Sequence, residues 1–191
     1  MPRHTFTSND TRFVWGLGLL QMISWGSVFY GFALFMSPLE TALQMSRAES
    51  SLGFSLLLLA EGLCAFLVGR WIDQGYAHRV MTLGSVWVGL ALWAHSLVQT
   101  PVQFYAVWFA LGMGMACVLY PPAFAVLIRR YPFHFRRAII TMTFLGGLAS
   151  TVFIPLTAWL ISGWGWRVAM LSLAALHVLV CAPLHLLQLR H

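Results

Sequence analysis

Residues 50–70 read SSLGFSLLLLAEGLCAFLVGR, and this run decides the fold class. As an α-helix rising about 1.5 Å per residue it is about 30 Å long, which matches the hydrocarbon thickness of a bilayer. Between its serine-rich start and the terminal Arg70 it carries one charge, Glu61. Comparable apolar runs fall at 13–36, 80–98, 103–128, 138–161 and 167–187, giving six expected spans. Between them lie turn formers and charges: Pro38 with Glu40, Arg47 and Glu49; Asp73, Gln74 and Gly75; Thr100 and Pro101; the basic stretch 129–137; and the Gly/Trp stretch 163–166. None of these connections is long enough for a soluble domain. The chain is 60% hydrophobic and 8% charged, where a soluble domain has roughly a quarter of its residues charged to cover its surface. Short segments of alternating polarity, which a β-barrel requires, are absent. Helices satisfy their own backbone hydrogen bonds, as lipid demands. The expected fold is all-α and integral to the membrane.

The cations give an orientation. All eleven basic residues are arginine. Arg3, Arg12, Arg70, Arg79, Arg129, Arg130, Arg136, Arg137 and Arg190 fall on one side of a six-span topology, and only Arg47 and Arg167 on the other. By the positive-inside rule both termini are cytoplasmic. The organisation expected is a cytoplasmic tail at 1–12, a six-helix bundle at 13–188, and the start of a cytoplasmic linker or tail at 189–191. A pI near 9.9 also suits nucleic-acid binding, but these arginines cap helix ends in short loops and build no single basic face, so nucleic acid is excluded as a partner. Cys64, Cys117 and Cys181 all fall inside spans, and their odd number excludes a complete disulfide framework. The first apolar run is too long for a signal peptide and no A-x-A-like site follows it, so it reads as a retained helix.

An internal echo divides the chain into two halves of three spans. Gly16, Gly18 and Tyr30 in the first span are answered by Gly112, Gly114 and Tyr120 in the fourth. Arg79 followed by His95 is answered by Arg167 followed by His185. Because three is odd, the halves run in opposite orientation, a three-plus-three inverted repeat of the kind that builds secondary transporters. Small residues four apart (Gly112 with Ala116, Gly146 with Ser150, Gly147 with Thr151) allow close helix packing. Pro121, Pro122 and Pro155 are expected to kink the fourth and fifth helices.

Among residues able to carry chemistry, Glu61 is the only acid deep inside a span. A carboxylate there is costly, so it should face the bundle interior, a cavity or a partner, where it suits either proton coupling or a structural role as a protonated, hydrogen-bonded Glu. His95 and His177 are further buried-polar candidates, and a lone helical His more often makes one structural hydrogen bond. Gln21, Trp25, Tyr30 and Tyr120 could line a solute cavity, Gln21 and Trp25 lying four apart on one face. No cluster has metal-ligand spacing, and neither a metal nor another cofactor is expected.

The run Gly69-Arg70-Trp71-Ile72-Asp73-Gln74-Gly75-Tyr76-Ala77-His78-Arg79 lies between the second and third spans. It resembles the loop motif of the major facilitator superfamily: Gly69 and Asp73 match, Gln74 replaces the usual Arg, Tyr76 stands at the second Gly, and the basic charge moves to Arg79. The stretch 129–137 resembles that family's loop between helices four and five, and 163–167 its turn before helix six. Segments at 25–30 and 137–183 are similar to bacterial members of unassigned substrate. The resemblance implies half of a twelve-helix transporter that works by alternating access. Gly69, Asp73 and Arg79 would belong to a cytoplasmic gate latched against a second six-helix half, in the same or another chain.

The function expected is secondary active transport of a small solute across a bacterial-type inner membrane, with membrane lipid as surroundings. An organic anion is one solute class; with no Arg deep in a span, its countercharge would come from the second half. The alternatives are a non-transporting membrane scaffold or remnant and an intramembrane enzyme. The enzyme has no Gly-x-Ser-Gly to support it.

Overall fold

Helix starts are written into the sequence as capping boxes. Thr7 accepts a hydrogen bond from the Asp10 amide while the Asp10 carboxylate takes the Thr7 amide at 2.9 Å, and this box starts α1 (Ser8–Ser24). The expected tail at 1–12 is therefore helical from Ser8 onward. Ser46 and Glu49 form the same box, with the Ser46 amide 2.7 Å from the Glu49 carboxylate, and start α3 (Arg47–Asp73). The computed structural model describes residues 7–190, so Arg3 and His191 lie outside the described residues.

From α1 the backbone widens through a π-helical turn at Trp25–Tyr30 and continues as α2 (Gly31–Leu43). Pro38, expected in a connection, sits inside α2. The chain turns instead at Gln44, whose left-handed backbone (φ 53°, ψ 41°) closes the helix. After α3 come α4 (Ala77–Ser96), α5 (Pro101–Val118) and α6 (Tyr120–Arg130). The break between α5 and α6 is at Leu119, which is extended (ψ −169°), immediately before Pro121 and Pro122 at the start of α6. The expected proline kink is there. Then follow α7 (Phe135–Gly147), α8 (Ala149–Leu176), a second π-helical segment at His177–Cys181, and α9 (Ala182–Leu189).

Two expectations in this last region change. The chain bends at Leu148 (φ −78°, ψ −2°), while α8 runs through Pro155. The turn expected over 163–166 is confined to Gly165, at φ 82° and ψ 165°. That backbone is open to glycine and strained for other residues.

Among the described residues there is no strand. Four helical stretches are long and apolar enough to cross a membrane: Ser8–Leu43, Arg47–Asp73, Pro101–Arg130 and Phe135–Leu189. Ala77–Ser96 is a further 20-residue helix outside that set, its hydropathy diluted by His78, Arg79, Ser85 and His95. The six separate spans expected are thus not matched one for one, since the last two runs form one helical stretch interrupted at Gly165.

Packing follows a simple scheme. α5 lies against both α3 and α4, α1 against α7, and α4 against α8 and α9. α3 and α5 touch backbone to backbone at Gly112, where any Cβ would strike the Leu57 carbonyl. The core between the helices is apolar, with Leu17, Leu57, Met81, Leu111, Met115 and Leu173 fully buried. Large apolar side chains also cover the outside, Phe66 at 75% and Leu83 at 67% exposure. That pattern is wrong for water and right for lipid.

Candidate functional site

The proline break in α5 and α6 creates the first polar feature. A continuous helix would pair the Val118 carbonyl with the amide of residue 122, but Pro122 has none. Gln21 of α1, fully buried, donates its side-chain amide to that carbonyl at 2.7 Å. One turn further along, the Trp25 ring lies 5.2 Å from Tyr120 and 4.5 Å from Phe29, and Tyr120 stacks on Phe124 at 5.3 Å. Three of the expected cavity residues, Gln21, Trp25 and Tyr120, therefore gather where α1 meets the α5–α6 break. Gln21 does so as a backbone cap. Tyr30, at the end of the π-helical turn, is exposed.

The carboxylates define a second feature. Glu61, Gly69 and Asp73 of α3, with Pro121, Pro122 and Ala125 of α6, line a concavity of about 270 Å³. Glu61 is partly buried midway along α3. Asp73 ends the same helix, three turns away on the same side. Two residue classes that the sequence presents separately, the in-span carboxylate and the loop-motif acid, thus share one hollow against the broken helix.

The third member of the loop motif lies elsewhere. Arg79 packs over the Tyr76 ring at 5.6 Å and borders a different groove, so the structure does not bring it to Asp73. Arg129, at the end of α6, does reach the motif. Its guanidinium donates to the carbonyls of Ile72 and Asp73, fastening the end of α3 to the end of α6. The sequence reading missed this role. Its targets are backbone oxygens on another helix, which no side-chain pattern announces.

The histidines stand apart from both features. His95 is completely buried among the rings of Phe104, Trp108 and Trp166, at 5.8, 5.6 and 6.4 Å, with neither ring nitrogen hydrogen-bonded. His177 shares a 2.8 Å hydrogen bond with Ser27, which joins the two π-helical segments. His185 pairs with Ser85 at 2.8 Å in the same manner. Ser27 and Ser85 also escaped the sequence reading, although each is the hydroxyl that makes its buried histidine tolerable.

Among the described residues no group of three or more His, Cys, Asp or Glu side chains could hold a metal ion. The family model described as Major Facilitator Superfamily matches residues 14–191. The chain belongs to the major facilitator superfamily. It is also similar to the uncharacterized MFS-type transporter YcxA of Bacillus subtilis (strain 168), 22% identical over 161 residues, covering 84% of this chain. The chain spans about 40% of the length of that relative. Family membership and the apolar helices together make this a multi-pass membrane protein of a transporter family, and the family points away from enzymatic chemistry.

Proposed function

We propose that the chain forms a six-helix half of a secondary transporter that moves a small solute by alternating access. The observation that carries this reading is the hollow shared by Glu61, Gly69 and Asp73 beside the α5–α6 break. A carboxylate within a membrane span costs roughly 2.5–3.5 kcal/mol, and packing alone gives no reason to keep one. Broken helices beside an intramembrane charge are a recurring way to build a transport site.

Packing supports the inverted repeat. Dividing the last helical stretch at Gly165 yields six spans at 8–43, 47–73, 77–96, 101–130, 135–164 and 166–189. Exchange the first three for the last three, and the contact of second with fourth becomes that of fifth with first. The contact of third with fourth becomes that of sixth with first, and third with sixth maps onto itself. Each of these contacts is present. The relative's extra length is consistent with a second half supplying the other wall of the site. The arginine distribution favours an inner-membrane protein with both ends of the bundle cytoplasmic. Gly69 and Asp73 then sit on a cytoplasmic gate, and Glu61 is the coupling group.

The test is gradient-driven uptake by the full-length protein in proteoliposomes, screened over labelled organic anions, cations and neutral solutes. Uptake of at least one class is expected, and Glu61→Gln should abolish it while the protein still inserts. Uptake unchanged by Glu61→Gln removes this residue from the mechanism. A correctly inserted protein that moves nothing in the panel, with or without an imposed proton gradient, overturns the transport reading.

A further inference from the structure

A second, larger hollow lies on the other side of α3. Its volume is about 570 Å³, and its walls are Cys64, Leu67 and Trp71 of α3 and Leu83 and Trp87 of α4, with Met113 and Cys117 of α5 as the floor. α3 and α4 splay here, both resting on α5. The lining is apolar except at one end, where Gln74, Tyr76 and Arg79 form the mouth. At the far end along α4 the Trp87 indole donates to the Ala110 carbonyl at 2.8 Å, so its only polar atom is satisfied within the protein.

Two features say what would occupy it. Along α4 the distance from Arg79 to Trp87 is about 12 Å at 1.5 Å per residue, close to the roughly 15 Å depth of one leaflet. The groove therefore runs from the membrane interface toward the midplane and stops. Arg79, meanwhile, is exposed and has no carboxylate partner among the described residues; its guanidinium rests only on the Tyr76 ring. A free guanidinium above a leaflet-deep apolar slot matches a phosphate above an acyl chain.

We propose that this groove is a binding site for an anionic phospholipid of the leaflet on the arginine-rich side, one acyl chain lying between α3 and α4 and the phosphate held by Arg79. A bound chain would fill the splay between the two helices that carry the loop motif, and so stiffen the segment that ends in Asp73. The site lies outside the Glu61 hollow and needs no transport step to form.

The experiment uses the full-length protein purified in mild detergent with equal amounts of phosphatidylglycerol and phosphatidylcholine, with the retained lipid counted by native mass spectrometry. Phosphatidylglycerol should be retained in preference. Arg79→Gln should cut that preference about fivefold or more, whereas Arg79→Lys should keep most of it. Met113→Trp, which fills the floor, should lower retention of both lipids. An Arg79→Gln protein with the wild-type preference overturns the site. So does an equal loss on Arg136→Gln, which would mean that the basic surface as a whole attracts the lipid. Retention is read without any flux, so failure of the transport proposal leaves this result interpretable.

Discussion

Gly112→Ala tests the packing of α3 on α5, and the structure sets its size. A Cβ at this position would overlap the Leu57 carbonyl and stand 2.9 Å from the Ala60 Cβ. The first neighbour is backbone, so no side-chain rotation relieves the clash and the two helices must move apart. Overpacking of this kind costs about 1–3 kcal/mol. Against it stands the helix preference of Ala over Gly, about 0.5–1 kcal/mol in favour of the variant. Gly62→Ala in α3 separates the two effects, because nothing lies within 4 Å of a Cβ there. The propensity gain is common to both variants, so their difference is the clash alone, about 1–3 kcal/mol. Equilibrium unfolding in mixed micelles, followed by tryptophan fluorescence, reads that difference directly. If Gly112→Ala and Gly62→Ala agree within about 0.5 kcal/mol, the backbone contact between α3 and α5 is not what the structure shows.

Gly165→Ala meets no neighbour but must hold φ 82° and ψ 165°, a region essentially confined to glycine, so it should destabilise by about 1–3 kcal/mol, and Gly165→Asn, whose tolerance is for the left-handed α region, should gain no relief; the same unfolding assay compares them. Gln21→Leu leaves the buried Val118 carbonyl without a donor and should cost about 1–2 kcal/mol, the value softened because the unpaired Gln21 Oε1 is removed as well. Slower amide exchange near residues 118–120 in the variant would contradict that account. Arg129→Lys keeps the charge but loses the planar fork whose two nitrogens each hold one carbonyl. It should loosen the end of α3 by about 1 kcal/mol, seen as faster hydrogen exchange at 72–76 with the rest of α3 unchanged.

Hydropathy made the membrane-crossing helices legible because lipid imposes one uniform demand on every residue facing it. Turn chemistry was legible less often. Pro121 and Pro122 break the helix where their missing amides say it should break, but Pro38 and Pro155 are absorbed inside helices. A single proline removes one hydrogen bond, and neighbouring helices compensate for it in a bundle. α1 begins five residues ahead of the apolar run because the box of Thr7 and Asp10 caps it there. The π-helical turns at Trp25–Tyr30 and His177–Cys181 have no sequence signal of their own; they mark where Ser27 and His177 have to meet. The candidate site shows the same division. Glu61 stood out by its cost, whereas its neighbourhood with Asp73 and Pro122 depends on how α3 and α6 cross, which is a property of the bundle.

The two hollows on either side of α3 make the functional argument by contrast. The larger, between α3 and α4, is apolar along its length and carries its charge only at the mouth. That is what a surface in contact with lipid should look like, since an acyl chain has no polar group to satisfy below its head. The smaller, between α3 and α6, breaks that rule. It holds a carboxylate halfway along a span and lies against a helix whose backbone is interrupted. Replacing Glu61 by Leu would remove the desolvation cost and fit the surrounding hydropathy, so packing offers no ground for a carboxylate there. Size alone would direct attention to the larger hollow. Energy directs it to the smaller one, because a carboxylate kept inside a span at such cost is what the proposed coupling role would require: a group beside a helix break that binds and releases a cation or a proton.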